Sequence, residues 1–346
     1  MTTSFTLRGL FQKAGHKLLT ERSSALVVLM AIMILIFWIL GEQGILLARY
    51  DIDYLASSLE ALVPIALLAL AEMFVIISGY SGIDLSVGAI VSLGGIFFGY
   101  FVQILGMPVV LAALLTIFLG ALMGLVNGIM VGYARFPPLI ATLSTSYIYA
   151  SLAMVISGQA PISGSKVAAT NELTSAIIFY NVAVPKQVIT FLIPAALISW
   201  IVLRWSNWGH RLVAVGTNEE AARYSALSVG RVRCTAYVVS GTLCGLAAVV
   251  NVAQFASARP DAGMVGSGMA LPAITVAVLG GVVIRGGYGK VGSVFLAALL
   301  VTWLNAGLLV SFMGSVGPRM QLLALGVILI GAVLVNTFTT RTTSGV

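Results

Sequence analysis

The sequence predicts an all-α polytopic membrane protein of about ten transmembrane helices, some of them short or broken. Three observations carry that expectation. Of the 346 residues, 60% are hydrophobic and 8% charged, whereas a soluble domain is about half apolar and about a quarter charged. A chain this poor in charge needs lipid as the solvent for most of its surface. The apolar residues gather into recurrent runs near the length of about 20 that a helix needs to cross a roughly 30 Å hydrocarbon core. The 37 glycines fit helices packed closely enough for backbones to touch.

The runs lie at 24–41, 58–79, 85–105, 108–133, 139–157, 188–204, 235–255, 270–285, 291–312 and 319–337. The first follows Arg8, Lys13, Lys17 and Arg22, yet it exceeds a signal-peptide core and no small-x-small site follows it closely, so a retained anchor is expected. A cytoplasmic N-terminus places five of the 18 basic residues outside, namely Arg49, Lys166, Lys186, Arg259 and Arg319, and the other thirteen inside. That is the asymmetry of positive-inside insertion. Both termini then face the cytoplasm: 1–23 and 338–346 are cytoplasmic ends of a transmembrane domain at 24–337, segment 158–187 is external, and 205–234 is cytoplasmic. The net charge of +7 is therefore topological, and no nucleic-acid partner is expected.

Within 205–234, the stretch from Gly216 to Leu227 has the grammar of a short surface helix. Thr217 or Asn218 can cap it, Glu219 and Glu220 suit the positive end of the helix dipole, and Arg223 follows Glu219 by four. A solvated connector would carry the same features.

Two stretches resemble each other. Leu62-Val63-Pro64-Ile65-Ala66 leads to Gly79-Tyr80-Ser81-Gly82-Ile83-Asp84-Leu85-Ser86, and Ala270-Leu271-Pro272-Ala273-Ile274 leads to Gly287-Tyr288-Gly289-Lys290. Chance and duplication both account for the likeness. Each joins a proline near a helix start to a glycine-rich break, the pattern of interrupted helices beside a transport path. A helix at 270–285 would rise only about 24 Å, short of the roughly 30 Å core, so it is not expected to cross as one regular helix.

Gly120, Gly124, Gly128 and Gly132 recur every four residues and give the fourth span one smooth face for close packing. Asn127 beside that face can bond a neighbouring helix or a solute. Asp84, just after the break at Gly82, can cap the next helix. Glu72 falls mid-span, where a carboxylate is costly and faces a cavity or a partner; solute binding, proton coupling and a protonated interhelical donor all fit it. No enzyme signature is present. Gly289-Lys290-Val291 lacks both the Ser/Thr after the lysine and the glycine at position 284 that a phosphate-binding loop needs. Cys234, Cys244, His16 and His210 form no metal-binding spacing. No catalytic residue and no metal are expected in this chain.

Five motifs stand in a fixed order: Gly82-Ile83-Asp84-Leu85-Ser86-Val87-Gly88-Ala89; Pro137-Pro138-Leu139-Ile140-Ala141-Thr142-Leu143; Gly216-Thr217-Asn218-Glu219-Glu220-Ala221-Ala222-Arg223-Tyr224-Ser225; Ala273-Ile274-Thr275-Val276-Ala277-Val278-Leu279-Gly280-Gly281; and Gly286-Gly287-Tyr288-Gly289. Over about 60–340 the chain resembles the permease subunits of ribose/galactose/xylose-type ABC importers. The resemblance implies the ABC importer permease fold, a second identical or related permease, two cytoplasmic ATPases that bind ATP-Mg, and an external sugar-binding protein at a bacterial inner membrane. It makes Gly216, Asn218, Glu219, Glu220, Ala221, Ala222 and Arg223 the segment that docks on the ATPase. Glu72, Gly82, Asp84, Ser86, Asn127, Gly280, Gly281, Gly286 and Gly287 become candidates for the translocation path or its helix breaks. Three departures from the family bear on solute identity: the inserted Tyr80-Ser81, Glu72 where a neutral residue is usual, and Pro272 where an acidic residue often precedes the Ala-Ile run. Inverted five-span halves are also expected of the family, whereas the two similar stretches lie six spans apart and would point the same way.

The leading expectation is thus the membrane subunit of an ATP-driven importer of a monosaccharide or similar polyhydroxylated solute. A proton-coupled secondary transporter using Glu72 or Asp84 is the alternative. A scaffold or receptor subunit without transport fits the glycine-broken spans less well.

Overall fold

A computed structural model describes residues 22–179, 182–264 and 268–343. Arg8, Lys13, Lys17 and nearly all of the expected cytoplasmic segment 1–23 lie outside the described residues, as do the last three residues of the expected tail. The element order is α1 (Arg22–Glu42), α2 (Ile52–Ile77), α3 (Val87–Gly99, prolonged by a π-helical turn Tyr100–Ile104), α4 (Val109–Gly132), α5 (Pro138–Ser157) and α6 (Ser165–Ala169). A hairpin follows, β1 (Ala176–Phe179) and β2 (Val182–Pro185). Then come α7 (Ile193–Trp205, entered by a π-helical turn Val188–Leu192), α8 (Asn207–Thr217), α9 (Glu219–Tyr224), α10 (Val229–Phe255), α11 (Ala270–Leu279), α12 (Val291–Ser311) and α13 (Val316–Thr343).

Among the described residues nine helices are long and apolar enough to cross a bilayer: α1 to α5, α7, α10, α12 and α13. The fold is the all-α polytopic one, with differences of extent: α13 runs from Val316 to Thr343, past the expected 319–337 and into the expected tail. α2 begins at Ile52 rather than 58, because Asp51 caps it by accepting the Tyr54 amide at 2.9 Å. α10 begins at Val229 rather than 235, because Arg231 and Arg233 lower the hydropathy of a first turn that is nonetheless helical. The run at 270–285 is a helix of only ten residues, about 15 Å long.

α2 and α10 form the centre. From Leu62 to Ile77 α2 is almost wholly buried, and α10 is buried along most of its length. α1, α7 and α13 lie at the periphery and expose Leu29, Ile32, Trp38, Ile198, Leu323 and Ile330, as helices facing lipid should.

The smooth face of α4 packs on α10, and the glycines of the two helices answer each other. A Cβ built on Gly120 would lie 2.4 Å from the Gly241 carbonyl oxygen, and one on Gly241 2.2 Å from that of Gly120. At Gly124 the Cβ would meet the Tyr237 oxygen at 2.2 Å, at Gly128 the Cys234 oxygen at 2.6 Å, and at Gly132 the Gly230 oxygen at 2.6 Å. None of these glycines leaves room for a side chain of its own. Gly124→Leu is accordingly expected to cost about 3 kcal/mol or more by forcing the helices apart, read as a lower melting temperature of the purified protein. Gly326→Ala, where a Cβ meets nothing within 4 Å, is the control that should melt like the parent.

Two irregular segments enter the packed body. From Ser78 to Ser86 the chain turns back after α2, with positive φ at Gly79, Tyr80 and Ser81. Between α10 and α11, the described parts of 256–269 run back along α3. Ala258 pairs with Ile162, beside Gly99, whereas Gly263 lies against Gly88 and donates its amide to Ser92 Oγ at 3.0 Å. Contact at Gly88 and Gly263 is backbone on backbone: a Cβ on Gly263 would lie 1.8 Å from the Gly88 oxygen. Non-helical backbone survives at membrane depth only where protein covers it, and Ala258, Pro260, Ala262 and Gly263 are all buried. α11 therefore starts part-way through the body, which is why ten residues suffice for the remaining distance.

Candidate functional site

Two groups of residues stand out, and the turn after α2 connects them. The first gathers at the end of α2. Gly79, Gly216, Gly286 and Gly287 come from three separate parts of the chain and touch through their backbones. A Cβ on Gly216 would lie 1.8 Å from the Ile77 carbonyl oxygen and 2.5 Å from the Gly287 nitrogen; one on Gly286 would lie 2.5 Å from the Gly79 Cα. The Gly287 amide donates to the Ile77 oxygen at 3.0 Å. Gly286 and Gly287, at φ of 98° and 80°, make the turn that lets it do so, in a region that side-chain-bearing residues seldom adopt. Gly216 thus joins both breaks, the one after α2 and the one after α11.

Immediately beyond Gly216 the chain forms α9. Asn218 Oδ1 accepts the Ala221 amide at 2.9 Å, so Asn218, not Thr217, is the cap. Ala222 is buried and anchors the helix, while Glu220, Ala221, Arg223 and Tyr224 are exposed, Tyr224 to 86%. The Glu219 carboxylate takes the guanidinium of Arg223 on one oxygen and that of Arg233 on the other, the latter at 2.7 Å. Burial pushes the Glu219 carboxyl up, but Arg233 and then Arg223 more than offset it and hold the group below the usual glutamate value. The Arg233 side chain is only 3% exposed, and its guanidinium lies 4.7 Å from the centroid of the Tyr80 ring. Cation, ring and carboxylate thus bind α9 to the first turn of α10 and to the break after α2.

The second group is a buried polar network deeper along the same break. Asp84 Oδ1 accepts the Ser86 amide at 3.0 Å and the Ser86 hydroxyl at 2.6 Å, and Oδ2 accepts the Ser240 hydroxyl at 3.1 Å. Asn127 Nδ2 donates to Ser86 Oγ at 2.7 Å, and Thr145 donates to Asn127 Oδ1 at 2.6 Å. The Leu85 amide donates to Thr142 Oγ1 at 3.1 Å, and the Asp84 amide to Glu72 Oε2 at 3.3 Å. Asp84 holds the amide of Ser86, the residue before α3, so the expected cap acts at the helix entry rather than on its first internal amides. Glu72, Asp84, Ser86 and Asn127 are each fully buried. They stitch the break to α2, α4, α5 and α10.

Among the glycine candidates, Gly82 lies against the Val75 carbonyl and Gly280 against the Val294 Cα, at 2.6 and 2.7 Å from a built Cβ; both serve close packing. Gly281 turns the chain at a φ of 88°. Sequence reading missed Tyr80, Arg233 and Ser240 as partners. Arg233, Tyr237, Ser240 and Cys244 recur at steps of four, three and four along α10, a stripe that marks one helix face.

Nine long apolar helices, two helix breaks and an exposed helix joined to both define a multi-pass membrane protein. Residues 54–336 match the family described as "Branched-chain amino acid transport system / permease component", and the chain belongs to that family. It is an importer permease of the ABC type, a transport component and not an enzyme. Among its relatives, the Autoinducer 2 import system permease protein LsrD of Salmonella paratyphi A is 36% identical over 278 residues, covering 80% of this chain and 81% of that protein. LsrD of Enterobacter sp. (strain 638) is 36% identical over 288 residues (82% and 84%), and that of Escherichia coli O9:H4 is 36% identical over 293 (82% and 83%). Comparison with solved structures finds no match.

Proposed function

We propose that this chain is the membrane subunit of an ATP-driven importer that carries a monosaccharide or similar polyhydroxylated solute into a bacterial cell. An external binding protein delivers the solute. The chain pairs with a second permease, identical or related, in the inner membrane, with both termini cytoplasmic, and ATP-Mg is bound and hydrolysed on separate cytoplasmic ATPase chains. The observation that carries this reading is the junction at Gly216, which ties an exposed helix, α9, to the breaks after α2 and α11. Force applied to α9 reaches both through backbone contact. The relatives named for import of autoinducer 2 support an import role, and the solute crosses chemically unchanged.

Copurification from the native host tests the assembly: a phosphate-loop ATPase and an external binding protein should accompany the chain. A transport-competent complex without any ATPase would reject the reading. Glu72→Gln separates it from the proton-coupled alternative. The amide side chain keeps an acceptor for the Asp84 backbone N–H, which now donates to the carboxylate at 3.3 Å, but it cannot ionise. Uptake by the variant in ATP-loaded vesicles is expected to persist and to survive collapse of the proton gradient; its loss with the fold intact would favour proton coupling.

A further inference from the structure

A pocket of about 380 Å³ opens beside α9, lined by Tyr80, Arg135, Glu219, Arg223, Gly230 and Arg233 among others. Three guanidiniums face one carboxylate, so positive charge is in excess. Glu219 serves Arg223 and Arg233, and neither of the ion pairs among the described residues includes Arg135. Arg233 is 3% exposed, yet its Nε has no hydrogen-bond partner among the described residues. The guanidinium is held by Glu219 and lines this pocket, and its remaining N–H without an acceptor is costly.

The backbone adds to the same field. α10 runs for 27 residues and starts at the pocket wall with Val229 and Gly230, while Ser228 before it makes no side-chain cap. The Val229 amide donates to the Leu227 carbonyl at 3.0 Å, and the positive end of the helix dipole lies at the pocket wall without a side-chain cap. Guanidiniums gathered beside a helix start match a compact anion with several acceptor oxygens, which is the chemistry of a phosphate group.

We propose that this pocket binds a phosphate group, carried either by a soluble phosphate ester or by a phospholipid headgroup. A bound phosphate would share Arg223 and Arg233 with Glu219, so occupancy bears on how firmly α9 is held. The binding itself does not rest on the transport reading.

The test uses the purified full-length chain in phosphate-free buffer, titrated calorimetrically with inorganic phosphate and with glucose 6-phosphate against chloride of equal ionic strength. A second arm measures, by native mass spectrometry, lipid retained from nanodiscs of phosphatidylcholine with or without phosphatidylglycerol. Saturable binding in the first arm assigns the site to soluble phosphate; selective retention of phosphatidylglycerol assigns it to a headgroup. In either arm Arg135→Asn is expected to weaken binding about tenfold or more. Asn tolerates the left-handed backbone that Arg135 adopts at a φ of 57°, and the position is exposed, so the fold is not at risk. Arg223→Gln should act in the same direction. Absence of binding in both arms, or binding that neither substitution weakens, overturns the proposal.

Discussion

Gly216→Ala is expected to abolish solute uptake while leaving the exposed face of α9 in place. One methyl group suffices because there is nowhere for it to go: it would lie 1.8 Å from the Ile77 carbonyl oxygen and 2.5 Å from the Gly287 nitrogen. These are backbone atoms, and they are the two partners of the 3.0 Å hydrogen bond that closes the junction. To admit the methyl, α8 must withdraw from α2, the bond must open, or both. Overpacking together with a lost buried hydrogen bond puts the cost at about 3 kcal/mol or more. Three measurements separate the outcomes: melting temperature, retention of the ATPase on the purified chain, and uptake. Retained ATPase with uptake gone is the expected pattern. Parental uptake and melting would mean that Gly216 transmits nothing and that the junction is an incidental contact.

Much of this site is legible in the sequence where the grammar is local. Asn218, Glu219 and Arg223 announce a capped helix because cap and ion pair span only a few residues, and α9 forms there. The four-residue spacing of Gly120 to Gly132 announces a smooth face. It does not announce the partner, because a face without side chains carries no identity; the partner, α10, supplies Gly230 and Gly241 about a hundred residues later. The junction is hidden for the same reason, since Gly79, Gly216 and Gly286 look like separate turns until the fold brings them together. Arg233 stands fourteen residues from Glu219, beyond any helical spacing rule, and its charge conceals the start of α10 from hydropathy. The breaks that follow the two similar stretches meet at this junction, where Gly79 and Gly286 lie against Gly216.

Glu219→Gln is expected to uncouple the transporter, because the carboxylate satisfies two cations at once and an amide cannot. Arg233 would remain 3% exposed, held only by the Tyr80 ring at 4.7 Å. A buried guanidinium stripped of its carboxylate costs about 2–3 kcal/mol, reduced from the usual range because Glu219 is itself 28% exposed. With α9 free of α10, ATP hydrolysis by the assembled complex should continue while uptake per ATP falls about tenfold, the factor that roughly 1.4 kcal/mol of lost coupling supplies. Acid should act in the same direction. Because the folded carboxyl is held below its ordinary value of 4.5, the bridge contributes fully above that value and loses its contribution as the pH falls through the lower folded value. A double-mutant cycle with Arg233→Met decides whether the pair is the cause. If the two stability losses simply add, the bridge carries no coupling and α9 is held by Ala222 alone. If the second substitution costs little after the first, the ion pair is the clamp between the exposed helix α9 and the break that follows α2.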